Sequence, residues 1–419
     1  MATGQGTAGQ GRPHLLLIGM GSQAYREYLL RSIGSEFDVH AFVTVEPVWG
    51  HDYLTGWTLV PSTLDGPALV EAARAAHARR PFDGVYCWDE ARIHAASQVA
   101  GALGLRNGDP ATILRMRDKG QTRAALAAAG VAQPRSFVVK TPEEAAAAAG
   151  QVGFPVILKP RDLGASLGVV KVDSADDLRA QFEFTWHARG PEAAALGPDG
   201  SILLEECIFG EEISVDSVTQ DGKLTPLFLA RKVVGYPPYA EEIGHYVHAD
   251  DPLLADPALV TLLQDTHTAL GVLDGGTHTE IMLTDAGMKI IEVNGRFGGD
   301  VIPYLGQLAT GIDPGLVAAS VACGLPLDLA ATRRRVAGVR FFYVEDEDTT
   351  IASVGFRQDG LPAAVDRLVP LAKPGAVVSP PPKGTWWGRV AYATAVADTF
   401  DECERAIRAA EGALEVAVA

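Results

Sequence analysis

Apolar residues fall into short runs separated by polar, glycine- or proline-bearing turns, and the period of those runs changes along the chain. At 14–21, H-L-L-L-I-G-M-G is an apolar run closed by glycines, which predicts a buried strand feeding a turn. Residues 24–33 show helical spacing, and 39–46 (V-H-A-F-V-T-V-E) predict a second strand. A helix over 69–78, a strand over 83–88 (D-G-V-Y-C-W) and a helix over 93–103, ending near Gly104, follow. Strands alternating with helices across 14–112 predict an α/β unit with a parallel sheet.

Residues 112–129 (T-I-L-R-M-R-D-K-G-Q-T-R-A-A-L-A-A-A) read as one strong helix stopped by Gly130. Strands at 136–140, 154–159, 168–172 and 201–205 then mix with helices at 142–149 and 175–184. Between 206 and 330 the pattern becomes that of antiparallel hairpins. Residues 213–220 and 224–232 flank Asp221-Gly222, and 277–284 and 288–294 flank the D-A-G turn at 285–287. Residues 331–419 mix a strand at 339–344, an Asp359-Gly360 turn and a helix at 401–414. The fold class expected is therefore α/β together with α+β. Its units are a flexible tail at 1–13, then 14–112, 113–204, 205–330 and 331–419. A length of 419 residues suits about three domains at roughly 150 residues each.

Composition narrows the classes. Apolar residues make up 47% and charged residues 21%, as in globular chains, which excludes a wholly disordered protein. A net charge of −17 disfavours nucleic acid as a partner, because a broad basic face is missing. No apolar run is long enough for a membrane span. The N-terminus lacks a signal-peptide core, and Cys87, Cys207, Cys323 and Cys403 form no CxxC pair, so a cytoplasmic location is expected.

Four stretches could carry chemistry. G-M-G-S-Q-A at 19–24, with Glu46 at the end of the next strand, fits a loose dinucleotide fingerprint or a plain glycine turn. K-P-R-D-L-G-A-S-L-G at 159–168 delivers a lysine from an apolar strand into a glycine loop. Backbone N–H groups there can approach phosphate oxygens while Lys159 supplies charge. L-L-E-E-C-I-F-G-E-E at 203–212 places four carboxylates beside an apolar strand, either a site or a solvated acidic turn. The sharpest stretch runs from His278 to Asp300. Glu280 and Glu292 sit on two strands joined by a tight turn, so they can lie side by side, and alternation puts Glu292, Asn294 and Arg296 on one face. Two carboxylates and an amide oxygen suit Mg²⁺, and an arginine beside them can grip a carboxylate or phosphate.

Together these motifs resemble the ATP-grasp superfamily of carboxylate–amine ligases over nearly the whole chain. D-K-G-Q-T-R-A-A-L-A-A-A-G-V-A-Q-P at 118–134 resembles the entry into its nucleotide-binding domain. G-G-D-V-I-P-Y-L-G-Q-L-A-T-G-I-D at 298–313, with Arg296, is most similar to the L-amino-acid ligase group, which makes dipeptides. The resemblance implies an ATP-grasp fold preceded by a Rossmann-like α/β domain (14–112) and followed by a small C-terminal α+β domain (331–419). The nucleotide-binding subdomain would be 113–204 and the metal and catalytic subdomain 205–330.

It also implies ATP and two Mg²⁺ ions as cofactors, with Mn²⁺ a substitute, small-molecule carboxylate and amine substrates, and a homodimer. Lys119 and Lys159 would hold phosphates under the 164–168 loop with Ser166. Residues 205–208 would form the adenine hinge through Glu205, Glu206 and Ile208, and Glu212 would bind ribose. Glu280, Glu292 and Asn294 would hold the metal ions. Arg296 would bind the substrate carboxylate and then the acyl phosphate, with Gly299 and His245 near the amino-acid pocket. For His278 a structural role is as good a reading. The implied reaction is ATP-dependent amide-bond formation through an acyl phosphate, with release of ADP and phosphate. A nicotinamide-dependent oxidoreductase using 19–24, or a non-catalytic nucleotide-binding module, are the competing readings. T-W-W-G-R at 385–389 either shapes a substrate pocket or packs the last sheet.

Overall fold

The computed structural model describes residues 11–107, 109–164, 166–188, 200–237, 239 and 241–419. Most of the 1–13 tail, and Ala165 of the glycine loop, lie outside the described residues. The chain divides into two compact units. One holds residues up to Pro110 with Gly315–Leu327; the other holds Ala111–Pro314 and Asp328–Ala419.

The first unit is built on a four-stranded parallel sheet in the order Gly56–Leu59, Asp38–Val43, His14–Ile18, Gly84–Tyr86. The continuous apolar run makes a strand buried at every position, as expected of a parallel sheet covered on both faces. Gly19 and Gly21 take φ of 75° and 66° in the turn before helix Gln23–Glu36. A Cβ on Gly21 would sit 3.1 Å from the Arg26 side chain and 3.2 Å from Trp88 Nε1. Side chains of the protein itself thus crowd the glycine turn.

The second unit contains two main sheets. The smaller is antiparallel, in the order Ser136–Val139, Ile202–Glu206, Val156–Pro160, Val170–Val172. Helices Pro142–Val152 and Ala175–His187 bury Ala145, Ala149 and Phe182 against its Val156, Leu158 and Leu204. The larger is an eight-stranded antiparallel sheet. Its order is Gly287–Asn294, Gly275–Thr284, Glu211–Gln220, Lys223–Gly235, Glu241–His248, Val336–Phe342, Ala391–Ala397, Val365–Pro370. Residues 331–419, expected as a module of their own, thus add three strands to this sheet. A further small sheet joins Val377–Val378, Thr349–Phe356 and Leu414–Val418.

The single helix expected over 112–129 is two helices, Pro110–Arg117 and Lys119–Ala128. Asp118 leaves the helical conformation and caps the second one, accepting from Gly120 N at 2.9 Å. Arg161 holds it there, donating from Nε to Asp118 Oδ1 at 2.8 Å. Local helical propensity is overridden by this tertiary ion pair.

Helix Ile302–Thr310 packs on the larger sheet through Gly306. A Cβ at Gly306 would lie 2.3 Å from the ring of the fully buried Phe228. Gly306→Ala is therefore expected to destabilise the protein by about 1–3 kcal/mol through overpacking. A urea unfolding midpoint equal to that of the parent would contradict this packing.

Candidate active site

The hairpin formed by Gly275–Thr284 and Gly287–Asn294 sets the register of the site. Glu280 lies directly opposite Glu292, and His278 opposite Asn294. On its other edge strand Gly275–Thr284 pairs with Glu211–Gln220, which puts Asp216 beside His278 and Ser214 beside Glu280. The two-residue period of a strand then turns alternate side chains to one face.

That face borders a cavity of about 280 Å³. Helix Lys119–Ala128 and the smaller sheet with its loops supply Lys119, Lys159, Ser166, Glu205, Glu206 and Ile208. The larger sheet and the loop after it supply Glu212, Glu280, Glu292, Asn294, Arg296 and Gly299. Every site residue expected from the sequence is therefore on the cavity wall except His245. His245 is fully buried, with Nε2 3.3 Å from Glu242 Oε2 and 3.5 Å from Asp300 Oδ2, and those two carboxylates line the cavity. Ile157, Val169, Ile208, Met282 and Ile291 give the cavity an apolar portion as well.

The charged groups are held by pairing. Lys159 and Glu205 are 5% and 3% exposed, and Lys159 Nζ lies 2.6 Å from Glu205 Oε2. Arg123 grips the same carboxylate, Nε to Oε1 at 2.5 Å and Nη2 to Oε2 at 3.2 Å. Its guanidinium also donates to the carbonyls of Ile290 (2.9 Å) and Ile291 (2.7 Å), tying the triad to the hairpin. Burial alone would raise the pKa of Glu205, but Arg123 and Lys159 outweigh it and hold the carboxyl at about 2. Burial lowers the pKa of Lys159, with Glu205 countering. Lys119 Nζ pairs with Glu292 Oε1 at 3.1 Å and donates to Leu163 O at 2.5 Å.

Lys232 organises the opposite wall and is absent from the sequence expectations. It is buried, and its Nζ lies 2.7 Å from Glu212, 2.8 Å from Glu242 and 3.1 Å from Glu280. Burial opposes its charge, yet the three carboxylates raise its pKa well above the usual lysine value. Glu280 is held well below the carboxylate range because Lys232 and His278 overcome its burial. Glu212 is raised: burial outweighs Lys232, and Glu280 and Glu242 add to it.

His278 Nδ1 lies 2.7 Å from Asp216 Oδ1, and Nε2 lies 3.6 Å from Glu280 Oε1. Burial would lower its pKa, but Asp216 and Glu280 push it up to about 9. His278 is thus a charged bridge to Glu280. Asp216 also accepts from Gly298 N at 3.0 Å, which anchors the loop carrying Arg296 and Gly299.

Glu280, Glu292 and Asn294 present oxygen donors to the cavity, the chemistry a hard divalent cation requires. Trp386 and Trp387 are 50% and 48% exposed, pack edge to face on each other, and are not among the residues lining the cavity.

With this geometry in hand, comparisons with known proteins identify the class. Residues 152–304 match the ATP-grasp domain family, and the chain has the ATP-grasp fold. Within that class it resembles amino-acid ligases. The L-amino acid ligase of Bacillus licheniformis superposes with a TM-score of 0.78 at 21% identity, over 97% of this chain and 99% of that one. Alanine–anticapsin ligase of Bacillus subtilis is 28% identical over 266 residues, 58% of this chain and 54% of that protein. The chain thus spans about half the length of that relative. The biotin carboxylase domain of the Hydrogenobacter thermophilus 2-oxoglutarate carboxylase, solved with MgADP and bicarbonate, superposes with a TM-score of 0.72 at 16% identity, over 97% and 90% of the two chains. Residues 152–304 accordingly carry an ATP-grasp domain. No helix among the described residues is long and apolar enough to cross a membrane.

The Glu205 triad makes an acid-stability prediction. The folded pKa lies below the unfolded value of 4.5, so the folded state binds fewer protons. Its contribution is complete above pH about 4.5 and is lost as pH falls towards about 2. Urea unfolding across that window should show this limb, worth about 3 kcal/mol, flattened in Glu205→Gln. An acid limb of unchanged depth in that variant would contradict the assignment.

Proposed function

We propose that the protein is an ATP- and Mg²⁺-dependent ligase that joins a carboxylate, an amino acid, to an amine through an acyl phosphate. The observation that carries this reading is the cross-strand pair Glu280–Glu292 with Asn294 and Arg296, on the wall of a cavity that also has an apolar portion. An adenine ring needs apolar surfaces and a few backbone hydrogen bonds. Ile157, Val169, Ile208, Met282 and Ile291 offer the first, and residues 205–208 the second. Glu212 would take the ribose hydroxyls, and Lys119 and Lys159 the phosphates, with Ser166 and its loop closing over them.

Glu280, Glu292 and Asn294 would hold two Mg²⁺ ions, with Mn²⁺ an alternative. The metal supplies neutralisation of phosphate charge when bound. Lys232 and His278 keep Glu280 ionised for that task. Arg296 would bind the substrate carboxylate bidentately and set it in line with the γ-phosphorus. A carboxylate oxygen forms the new bond to phosphorus as the bond to ADP breaks. The amine nitrogen then attacks the acyl carbon, the C–O bond to phosphate breaks, and the amine loses a proton. Glu242 or Asp300, on the cavity wall with His245 behind them, would receive that proton, with Gly299 leaving the backbone open beside the substrate. Phosphorylation is needed because a free carboxylate would have to expel oxide.

The test is ADP and phosphate release from Mg²⁺-ATP with pooled L-amino acids and small carboxylic acids. Arg296→Ala should lower turnover by about 100-fold or more while fluorescent ATP-analogue binding changes by less than about threefold. Turnover close to the parent's would remove the assigned role. Glu292→Gln should raise the Mg²⁺ concentration needed for nucleotide binding, and an unchanged Mg²⁺ dependence would count against the metal site.

A further inference from the structure

T-W-W-G-R at 385–389 has no part in the mechanism above, yet its last residue is buried and held by several partners. Arg389 is 5% exposed. Its fork donates to both oxygens of Asp300, Nη1 to Oδ1 at 2.6 Å and Nη2 to Oδ2 at 2.8 Å. Nη2 also donates to Glu242 O at 3.1 Å, Nε lies 3.1 Å from Tyr343 OH, and the guanidinium stacks 3.7 Å from the centre of the Phe341 ring. The turn that delivers it is fixed by close backbone approach. A Cβ on Gly384 or Gly388 would fall 2.0 or 2.2 Å from Ser379 O, so neither position accepts a side chain without rearrangement.

Asp300, the residue so gripped, needs a restraint. It follows Gly299 on the cavity wall with φ at 48°, and buried Val301 follows with φ at 58°. Two successive non-glycine residues in the left-handed region are strained, the β-branched valine above all. Such a loop persists only where its surroundings over-determine it. Asp300 and Glu242 then bracket His245 Nε2, and both line the cavity beside Arg296.

We propose that Arg389 is a positioning residue for the substrate part of the cavity, acting through the carboxylate of Asp300. The fork fixes both the plane of that carboxylate and the 298–301 loop, and with them the wall that meets the amino acid. Lysine would keep the charge but could not hold two oxygens in one plane. The proposal rests on the ligase reading.

The experiment compares the parent with Arg389→Lys, Asp300→Asn and the double variant. It measures ADP release against the concentration of pooled L-amino acids, and separately the binding of a fluorescent ATP analogue. Each single variant is expected to raise the half-saturating amino-acid concentration about tenfold, with nucleotide affinity changed by less than about twofold, since loss of ångström-scale positioning acts on the substrate. The double variant should be no worse than either single one, because the two side chains act as one unit. Isosteric Asp300→Asn keeps the test readable where Arg389→Lys loses stability. Unchanged half-saturation in both single variants overturns the proposal. So does a loss of nucleotide affinity equal to the loss for amino acids, which is the mark of a structural role alone. A parent protein that releases no ADP with any pool overturns the ligase reading and this proposal with it, and that failure is recognised because it appears before any substitution is made.

Discussion

A carboxylate taken out of water keeps its charge only where cations replace the lost solvation, and the candidate site depends on that constraint. Glu205 is the clearest case. Arg123 from the helix and Lys159 from the neighbouring strand share it, while the same guanidinium reaches the backbone of the Gly287–Asn294 strand. One buried charge thus joins a helix, two strands of the smaller sheet and the edge of the larger sheet. Removing Glu205 would leave two cations without their carboxylate in a low dielectric, which is why such triads tolerate little change.

Lys232 applies the same logic with the sign reversed. A single ammonium serves Glu212, Glu242 and Glu280, each on a different strand. Three carboxylates around one lysine leave an excess of negative charge, offset at Glu280 by protonated His278 and at Glu292 by Lys119. Such a wall suits a divalent cation and a polyanionic ligand arriving together, because each neutralises what the other would leave exposed. Arg389 repeats the device on Asp300 at the cavity wall.

How much of this was legible in the sequence follows from how local each signal is. Glu280 and Glu292 could be paired because a tight turn at 285–287 and strand alternation are both written within seventeen residues of chain, 278–294. Lys159 was legible for the same reason, as the end of an apolar strand meeting a glycine loop. Lys232 was not, since its partners lie on three other strands and only the sheet order joins them. Arg389 meets Asp300 across 89 positions, and neither position carries a local mark of the other. The break at Asp118 was hidden by continuous helical propensity and is enforced by Arg161, 43 residues on. The strand Glu241–His248, which brings His245 behind the cavity, was likewise unassigned. Its G-H-Y segment gave no period long enough to read.

The central claim is that a substrate carboxylate is activated by transfer of the γ-phosphoryl group, and isotope transfer addresses it most directly. Amino acids labelled with heavy oxygen in the carboxylate would be turned over with Mg²⁺-ATP, and the released phosphate examined by mass spectrometry. The account predicts one heavy oxygen in each phosphate, alongside ADP and a condensed product lighter by one water than its two parts. Unlabelled phosphate, or label recovered in AMP, would contradict it, since either outcome requires that the carboxylate never carried the phosphoryl group.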